Sequence, residues 1–328
     1  MGVTFIGCGA AAPETVVLND ALAQVVDTSD EWISSRTGIR QRHISHDRES
    51  LAGLAAQAAQ QALNMAGMVA TDVDMIILAT SSSEDLFGTA CQIQAQLGAT
   101  RAVAFDLTAA CSGFVFGVVT ASQFIRSGVY RNILVIGADL LSRWVDWNDR
   151  NTCVLFGDGA GAVLLQGNPN LDRLLGFEIN SDGTQNRCLN LAFKPELREL
   201  LPGITLTQGK YQYITMNGKE VYRFAINRVP DAIDKVIHQA NLTSADIDWL
   251  ILHQANQRIM DAVAERLQIA PEKVVSNVAK YGNTSAASIP IALNEAVRAG
   301  KIQAGDTIAT SGFGAGLSWG AAIFQWGN

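Results

Sequence analysis

Three polar residues stand apart in a chain otherwise rich in core-forming side chains: Cys111 in TAACSGF, His253 in HQANQR and Asn283 in YGNTSAAS. Cys111 follows the apolar strand pattern RAVAFDL and stands at the first residue of an expected buried helix. A thiol there feels the positive end of the helix dipole and unpaired N–H groups, which favour the nucleophilic thiolate. The competing reading is a small core cysteine, since free Cys is among the most buried residue types. His253 ends an apolar strand, where open α/β sheets place ligands. A lone His in such a place is more often structural, but here Gln254, Asn256 and Arg258 cluster with it. GFGAGLSWG (312–320) could aim backbone N–H groups at an anion, although tight turns alone would explain its glycines. Trp32, Arg36, Arg40 and Arg42 combine an aromatic plate with guanidiniums, a group that suits a nucleotide with phosphates or, more commonly, a solvated charged face.

These residues must be held by regular elements. Residues 105–128 read as a turn at Ala109–Cys111, a buried helix over 112–127 of about four turns, and a closing Gly128 in the left-handed cap position. Thr28 or Ser29 caps a helix starting at Asp30. Residues 51–66 repeat Leu and Ala at helical spacing and stop at Gly67. DVDMIILAT and NILVIG are uninterrupted apolar runs, hence central strands covered on both faces. Residues 3–7 form a short strand leading into a turn at GCGAAAPE, and CVLFGDGAGAVLLQG reads as two strands around a glycine-rich turn. The alternation of strands and helices predicts an α/β architecture with a largely parallel sheet.

The second half repeats the first. LAAQAAQQALNMAGMVATDVDMIILAT matches RVPDAIDKVIHQANLTSADIDWLILHQ, and CSGFVFGVVTASQFIRSG matches NTSAASIPIALNEAVRAG at nearly the same offset. One duplicated unit of about half the chain is expected, residues 1–167 and 168–328, with the boundary near Gly167–Asn170. Residues 184–212 fit neither copy and look like an insertion. The match makes Asn283 the counterpart of Cys111, so two polar residues open two equivalent helices.

Composition sets outer bounds. The 328 residues are 48% apolar and 17% charged, which describes a folded core rather than disorder. A formal charge of −7 argues against general nucleic-acid binding, so an acidic partner must meet a local basic patch. Five scattered cysteines without a CxxC pair suggest neither a disulfide framework nor a zinc or other metal site, and point to a reducing cytoplasm. No apolar run spans a membrane, and MGVTFIGCG has no basic segment of a signal peptide. Glycine runs at GCGAAA and GFGAG hint at a nicotinamide-dependent dehydrogenase, but neither both follows a strand and opens a helix.

Taken together, TAACSGF, HQANQRI, YGNTSAAS and GFGAGLSWG resemble the thiolase superfamily, and most closely its β-ketoacyl-acyl-carrier-protein synthase III family. The resemblance implies a duplicated βαβαβαββ unit in a five-layered αβαβα stack and a homodimer. It implies a decarboxylative condensation of acetyl-CoA with malonyl-acyl carrier protein that initiates type II fatty-acid synthesis. Both thioesters are substrates, and no cofactor is expected. Cys111 would carry the acetyl group, and His253 with Asn283 would hydrogen-bond the thioester enolate. The backbone N–H groups of Cys111 and Ala315 would form the oxyanion hole; the family usually has Gly at position 315. Thr28, Trp32, Arg36, Arg150 and Asn256 match CoA-binding positions, with adenine between Trp32 and Arg150. Phe87 matches an acyl-pocket residue donated across the dimer, and Arg223, Gln254 and Arg258 match the carrier-protein docking surface. A relative acting in secondary metabolism with another primer or acceptor is the alternative.

Overall fold

The computed structural model describes residues 1–327. The sheet of the first half runs Gly2–Ala11, Asp158–Asn168, Asn132–Leu140, Met75–Ala79, Val103–Leu107. Met75–Ala79 is parallel to both neighbours, whereas Asp158–Asn168 is antiparallel to both of its own. The second sheet runs Leu174–Ser181, Ser318–Gln325, Thr307–Gly314, Trp249–Leu252. Its pairings have the same senses in the same order, and a single parallel bridge from Leu250 to Val274 stands where the fifth strand would be. The repeat in the sequence is thus a repeat in the fold.

Five layers follow from where the apolar faces go. Gly113–Arg126 and Ser288–Arg298 lie between the sheets and touch strands of both halves. Leu51–Ala66 and Ala90–Leu97 cover the outer face of the first sheet, and Gly218–Gln239 that of the second. All five residues of Met75–Ala79 are buried, as its unbroken apolar run requires of a strand covered on both faces.

Two local expectations are corrected. GCGAAA is not a turn: one strand continues from Gly2 to Ala11. A Cβ at Gly9 would stand 2.1 Å from the Ala58 carbonyl oxygen, so the glycine is there to let the Ala-rich helix approach the strand. CVLFGDGAGAVLLQG is likewise one strand, from Asp158, preceded by a turn. That turn is spoken for by the other half: the Gly157 N–H donates to the Asn283 carbonyl and the Asn283 N–H to the Leu155 carbonyl. Inside the unmatched segment, Phe193–Leu201 and Ile204–Tyr211 form a hairpin that pairs only with itself.

Candidate active site

Cys111 lies in a single 3₁₀ turn, Ala110–Ser112, immediately before the helix rather than at its first residue. Ala110 adopts φ 46°, a left-handed conformation that costs a non-glycine residue on the order of 1–3 kcal/mol. The turn is held from both sides. The Ser112 hydroxyl donates to the Ala109 carbonyl at 2.6 Å and lies 2.8 Å from Ser318 Oγ. Strand Thr307–Gly314 presses against it so closely that a Cβ on Gly314 would stand 2.6 Å from the Cys111 nitrogen. Any side chain at position 314 would displace Cys111.

Cys111, His253, Asn283 and Ala315 all border one cavity of about 1700 Å³. Burial pushes the Cys111 thiol up to about 12, with a hydrogen bond from Ser285 opposing the rise and the charge of Asp139 adding to it. Loss of solvation thus opposes the thiolate that the start of the helix would favour.

His253 follows strand Trp249–Leu252, is 2% exposed, and packs edge-on against Phe313 with ring centroids 5.3 Å apart. Burial lowers its pKa to about 3, so the ring is neutral near pH 7. Its Nδ1 lies 2.7 Å from Ser288 Oγ, which already accepts the Gln254 N–H at 3.3 Å. With Ser288 donating to Nδ1, the neutral ring would carry its hydrogen on Nε2 and present a donor to the cavity. Asn283 is oriented as firmly. Its Oδ1 accepts the Ser285 N–H at 2.9 Å, so its amide NH₂ is the end available to the cavity.

The remaining expectations divide. Trp32, Arg36, Phe87, Asn256 and Arg258 border the cavity, while Arg223 is exposed on helix Gly218–Gln239. Ser29, not Thr28, caps helix Asp30–Thr37. Thr28 Oγ1 is buried with no hydrogen-bond partner among the described residues, and Thr28 does not border the cavity. Asn256 donates to the Arg36 carbonyl and accepts the Arg258 N–H, joining two of the expected CoA residues.

Arg150 departs from the expected sandwich. Its guanidinium lies 5.1 Å from the Trp32 ring centroid, with Arg36 at 4.7 Å, so no slot for a base lies open between Trp32 and Arg150. Arg150 is tied to the exposed Asp27, a pairing weak enough to yield to a ligand.

Gln254 is corrected outright. It is 1% exposed, its NH₂ serves the Leu252 and Val275 carbonyls, and its Oε1 accepts the Asn277 N–H. It fixes the loop beside His253 and cannot meet a carrier protein.

Three site residues escaped the sequence reading: Asp139, Ser285 and Ser288. The serines lay in YGNTSAAS, and a carboxylate ending the apolar run NILVIGAD was itself a signal, because such strand ends face ligands.

A duplicated five-layer fold whose first half brings a cysteine and whose second half brings a histidine and an asparagine to one cavity is that of the thiolase-type condensing enzymes. Sequence profiles described as 3-oxoacyl-[acyl-carrier-protein] synthase III match residues 105–183, and as its C-terminal part residues 237–326. The chain is 67% identical over 328 residues to the β-ketoacyl-[acyl-carrier-protein] synthase III of Trichormus variabilis, covering 100% of this chain and 99% of the relative. The crystal structure of the Aquifex aeolicus 3-oxoacyl-[acyl-carrier-protein] synthase III superposes with a TM-score of 0.91 at 43% identity, covering 99% of this chain and 100% of that one. A priming β-ketosynthase of a polyketide pathway superposes with TM-score 0.91 but 30% identity, over 100% of this chain and 97% of that one. The chain belongs to the β-ketoacyl-acyl-carrier-protein synthase III family: it is a condensing acyltransferase of fatty-acid synthesis. No helix among the described residues is long and apolar enough to cross a membrane.

Proposed function

We propose that Cys111 takes an acetyl group from acetyl-CoA as a thioester, and that malonyl-acyl carrier protein then decarboxylates and condenses with it to give acetoacetyl-acyl carrier protein. The observation that carries this reading is that His253 and Asn283 border one cavity with Cys111, the Asn283 polarity being fixed by the Ser285 N–H on its Oδ1. A Ser288 hydroxyl donating to Nδ1 would make the neutral His253 a second donor through Nε2. Two neutral donors suit the developing enolate oxygen of a malonyl thioester, and a neutral ring cannot be lost to protonation near pH 7. The tetrahedral oxyanion on the acylated sulfur would be stabilised separately by the N–H groups of Cys111 and Ala315. Alanine at 315 still supplies that N–H.

Trp32 and Arg36, which border the cavity, with Arg150 stacked on the same Trp32 ring, support CoA binding at the cavity mouth. Exposed Arg223 and Arg258 support docking of an acidic carrier protein beside the same mouth, despite the net charge of −7. A homodimer is supported by Leu86 and Phe87, 84% and 98% exposed in one protomer although both border the cavity. Val103–Leu107, at the open edge of its sheet, is a further surface for a second copy. The five free cysteines suit a reducing cytoplasm. The 67% identity to a β-ketoacyl-acyl-carrier-protein synthase III, against 30% to the polyketide priming enzyme, favours fatty-acid initiation over secondary metabolism.

The test is intact-protein and peptide mass spectrometry after exposure to a panel of acyl-CoA esters. An acetyl adduct on Cys111, lost in Cys111→Ser because a hydroxyl is a far weaker nucleophile, is the expected result. An undiminished adduct in the variant would show that the nucleophile lies elsewhere.

A further inference from the structure

Arg42 is one of the guanidiniums that the sequence offers to a nucleotide or to solvent, and in the fold it meets neither. Strand Gln41–His43 carries it inward, where it is fully buried and away from the cavity. One terminal nitrogen, Nη1, donates to Asn19 Oδ1 at 2.8 Å and to the Val17 carbonyl at 3.2 Å. The other, Nη2, donates to the Val154 carbonyl at 2.7 Å. All three acceptors are uncharged, and Nε has no partner among the described residues. A guanidinium stays charged, and burying it without a counter-ion opposes folding in a way that an apolar side chain would not. Packing alone therefore gives no reason for arginine here; the reason lies in what its fork holds.

On one side the fork is anchored. Asn19 is buried, and its NH₂ donates to Asp30 Oδ1 and to the Ile39 carbonyl, each at 2.8 Å, which turns its oxygen toward Arg42. On the other side the fork holds the turn against which Asn283 is hung. The Leu155 carbonyl accepts the Asn283 N–H at 2.9 Å, and the Gly157 N–H donates to the Asn283 carbonyl at 3.0 Å. Two glycines bring these segments together with no side chain between them. A Cβ on Gly157 would stand 2.2 Å from the Tyr281 carbonyl oxygen, and one on Gly282, at φ 66°, 2.9 Å from the Leu155 carbonyl oxygen. Contact this close leaves no slack, so a shift of the turn is a shift of Asn283.

We infer that Arg42 is a positioning residue for decarboxylation: through the Val154 carbonyl it fixes the turn that sets the place of the Asn283 amide. The inference rests on the reading that Asn283 donates to the enolate oxygen.

Three supports then place Asn283, each with its own task. The Ser285 N–H sets which end of the amide faces the cavity, the Leu155 and Gly157 backbone groups hold its main chain, and Arg42 holds the turn that bears those groups. The Cys111 turn is held differently, by Ser112, Ser318 and the close approach of Gly314, and Arg42 shares no hydrogen bond with any of them. Loosening Arg42 should therefore act on one half-reaction and spare the other.

Arg42→Lys keeps the charge and most of the stem, but a single nitrogen cannot serve Asn19 and Val154 as a planar fork does. Carbon dioxide release from labelled malonyl-acyl carrier protein should fall about 10- to 100-fold, the cost of misplacing a reacting group by on the order of 1 Å. The loss should lie in kcat rather than in the Michaelis constant, and acetylation of Cys111 by labelled acetyl-CoA should stay near the wild-type rate. The decisive arm is the cycle with Asn283→Ala. In that background Arg42→Lys should cost nothing further, because its effect runs through the amide already removed. Asn19→Ala leaves arginine in place but removes the anchor of its fork, and should show the same selective loss at smaller size; it replaces Arg42→Lys in the cycle if the lysine variant does not fold. Wild-type decarboxylation in the folded variant, equal losses in the two half-reactions, or losses that add to those of Asn283→Ala would each overturn the inference. Asn283→Ala decarboxylating at the wild-type rate would instead refute the role of Asn283 itself, whereas a slow Asn283→Ala beside a normal Arg42→Lys refutes the role of Arg42 alone.

Discussion

At the start of Gly113–Arg126 the chain turns left-handed at Ala110, with φ 46°; at the start of Ser288–Arg298 it does the same at Ser285, with φ 51°. Each strained residue opens a 3₁₀ turn, and each turn presses on the central strand of the opposite half. The first meets Gly314 and the second meets Asp139. The backbone of the duplicated unit has been kept while its side chains have divided the labour. One turn carries sulfur, and the other carries a hydroxyl directed at that sulfur, with a carboxamide two residues earlier. On the proposed mechanism one cavity would hold two oxyanion sites, one of backbone donors around the first turn and the other of His253 and Asn283 beside the second.

If the halves differ in this way, the second must present neutral donors, and that has a consequence for stability. His253 has a folded pKa lowered from 6.5 to about 3, so below 6.5 the unfolded chain binds a proton that the folded chain does not. Stability therefore falls as pH falls through that window, by about 2 kcal/mol between pH 6.5 and about pH 5 from this one group. His253→Gln should remove that part of the slope in urea unfolding measured across the same range. Parallel slopes for variant and wild type would mean that the ring is charged in the folded protein, and the contrast between the halves would fail.

A smaller effect separates the two substrates at the cavity mouth, where Trp32 is read as meeting CoA and Arg258 the carrier protein. Arg258→Glu should raise the apparent Michaelis constant for malonyl-acyl carrier protein by up to about tenfold, and that for acetyl-CoA much less. Equal rises would indicate a general distortion of the mouth instead.

The sequence was most informative where physics is local. The Leu/Ala periodicity of residues 51–66, the unbroken apolar run of Met75–Ala79 and the duplication each predict an element that is present. It misled where one segment's conformation depends on another half of the chain. GCGAAA looks like a turn until the helix that crowds Gly9 is known. Gln254 looks like a surface amide until its three internal hydrogen bonds are known. The pairing of Cys111 with Asn283 fails for a related reason. The second buried helix has 11 residues against 14 in the first, so a match anchored at the helix ends slips by one turn at their starts. By backbone conformation Ala110 corresponds to Ser285, and Cys111 therefore to Ala286. Asn283 lies before the turn, held there by its backbone bonds to the Leu155–Gly157 turn.

The division of labour is tested most directly by measuring both half-reactions on the same preparations of His253→Ala and Asn283→Ala. Acetyl labelling of Cys111 should be largely retained, because the first turn supplies its own backbone donors. Carbon dioxide released from labelled malonyl-acyl carrier protein should fall about a hundredfold or more for each variant, on the order of 3 kcal/mol per lost donor. The double variant should lose less than the product of the two, since both donors serve one oxygen. Asn283→Ala releasing carbon dioxide at the wild-type rate, or losing acetylation as severely as decarboxylation, would contradict the account.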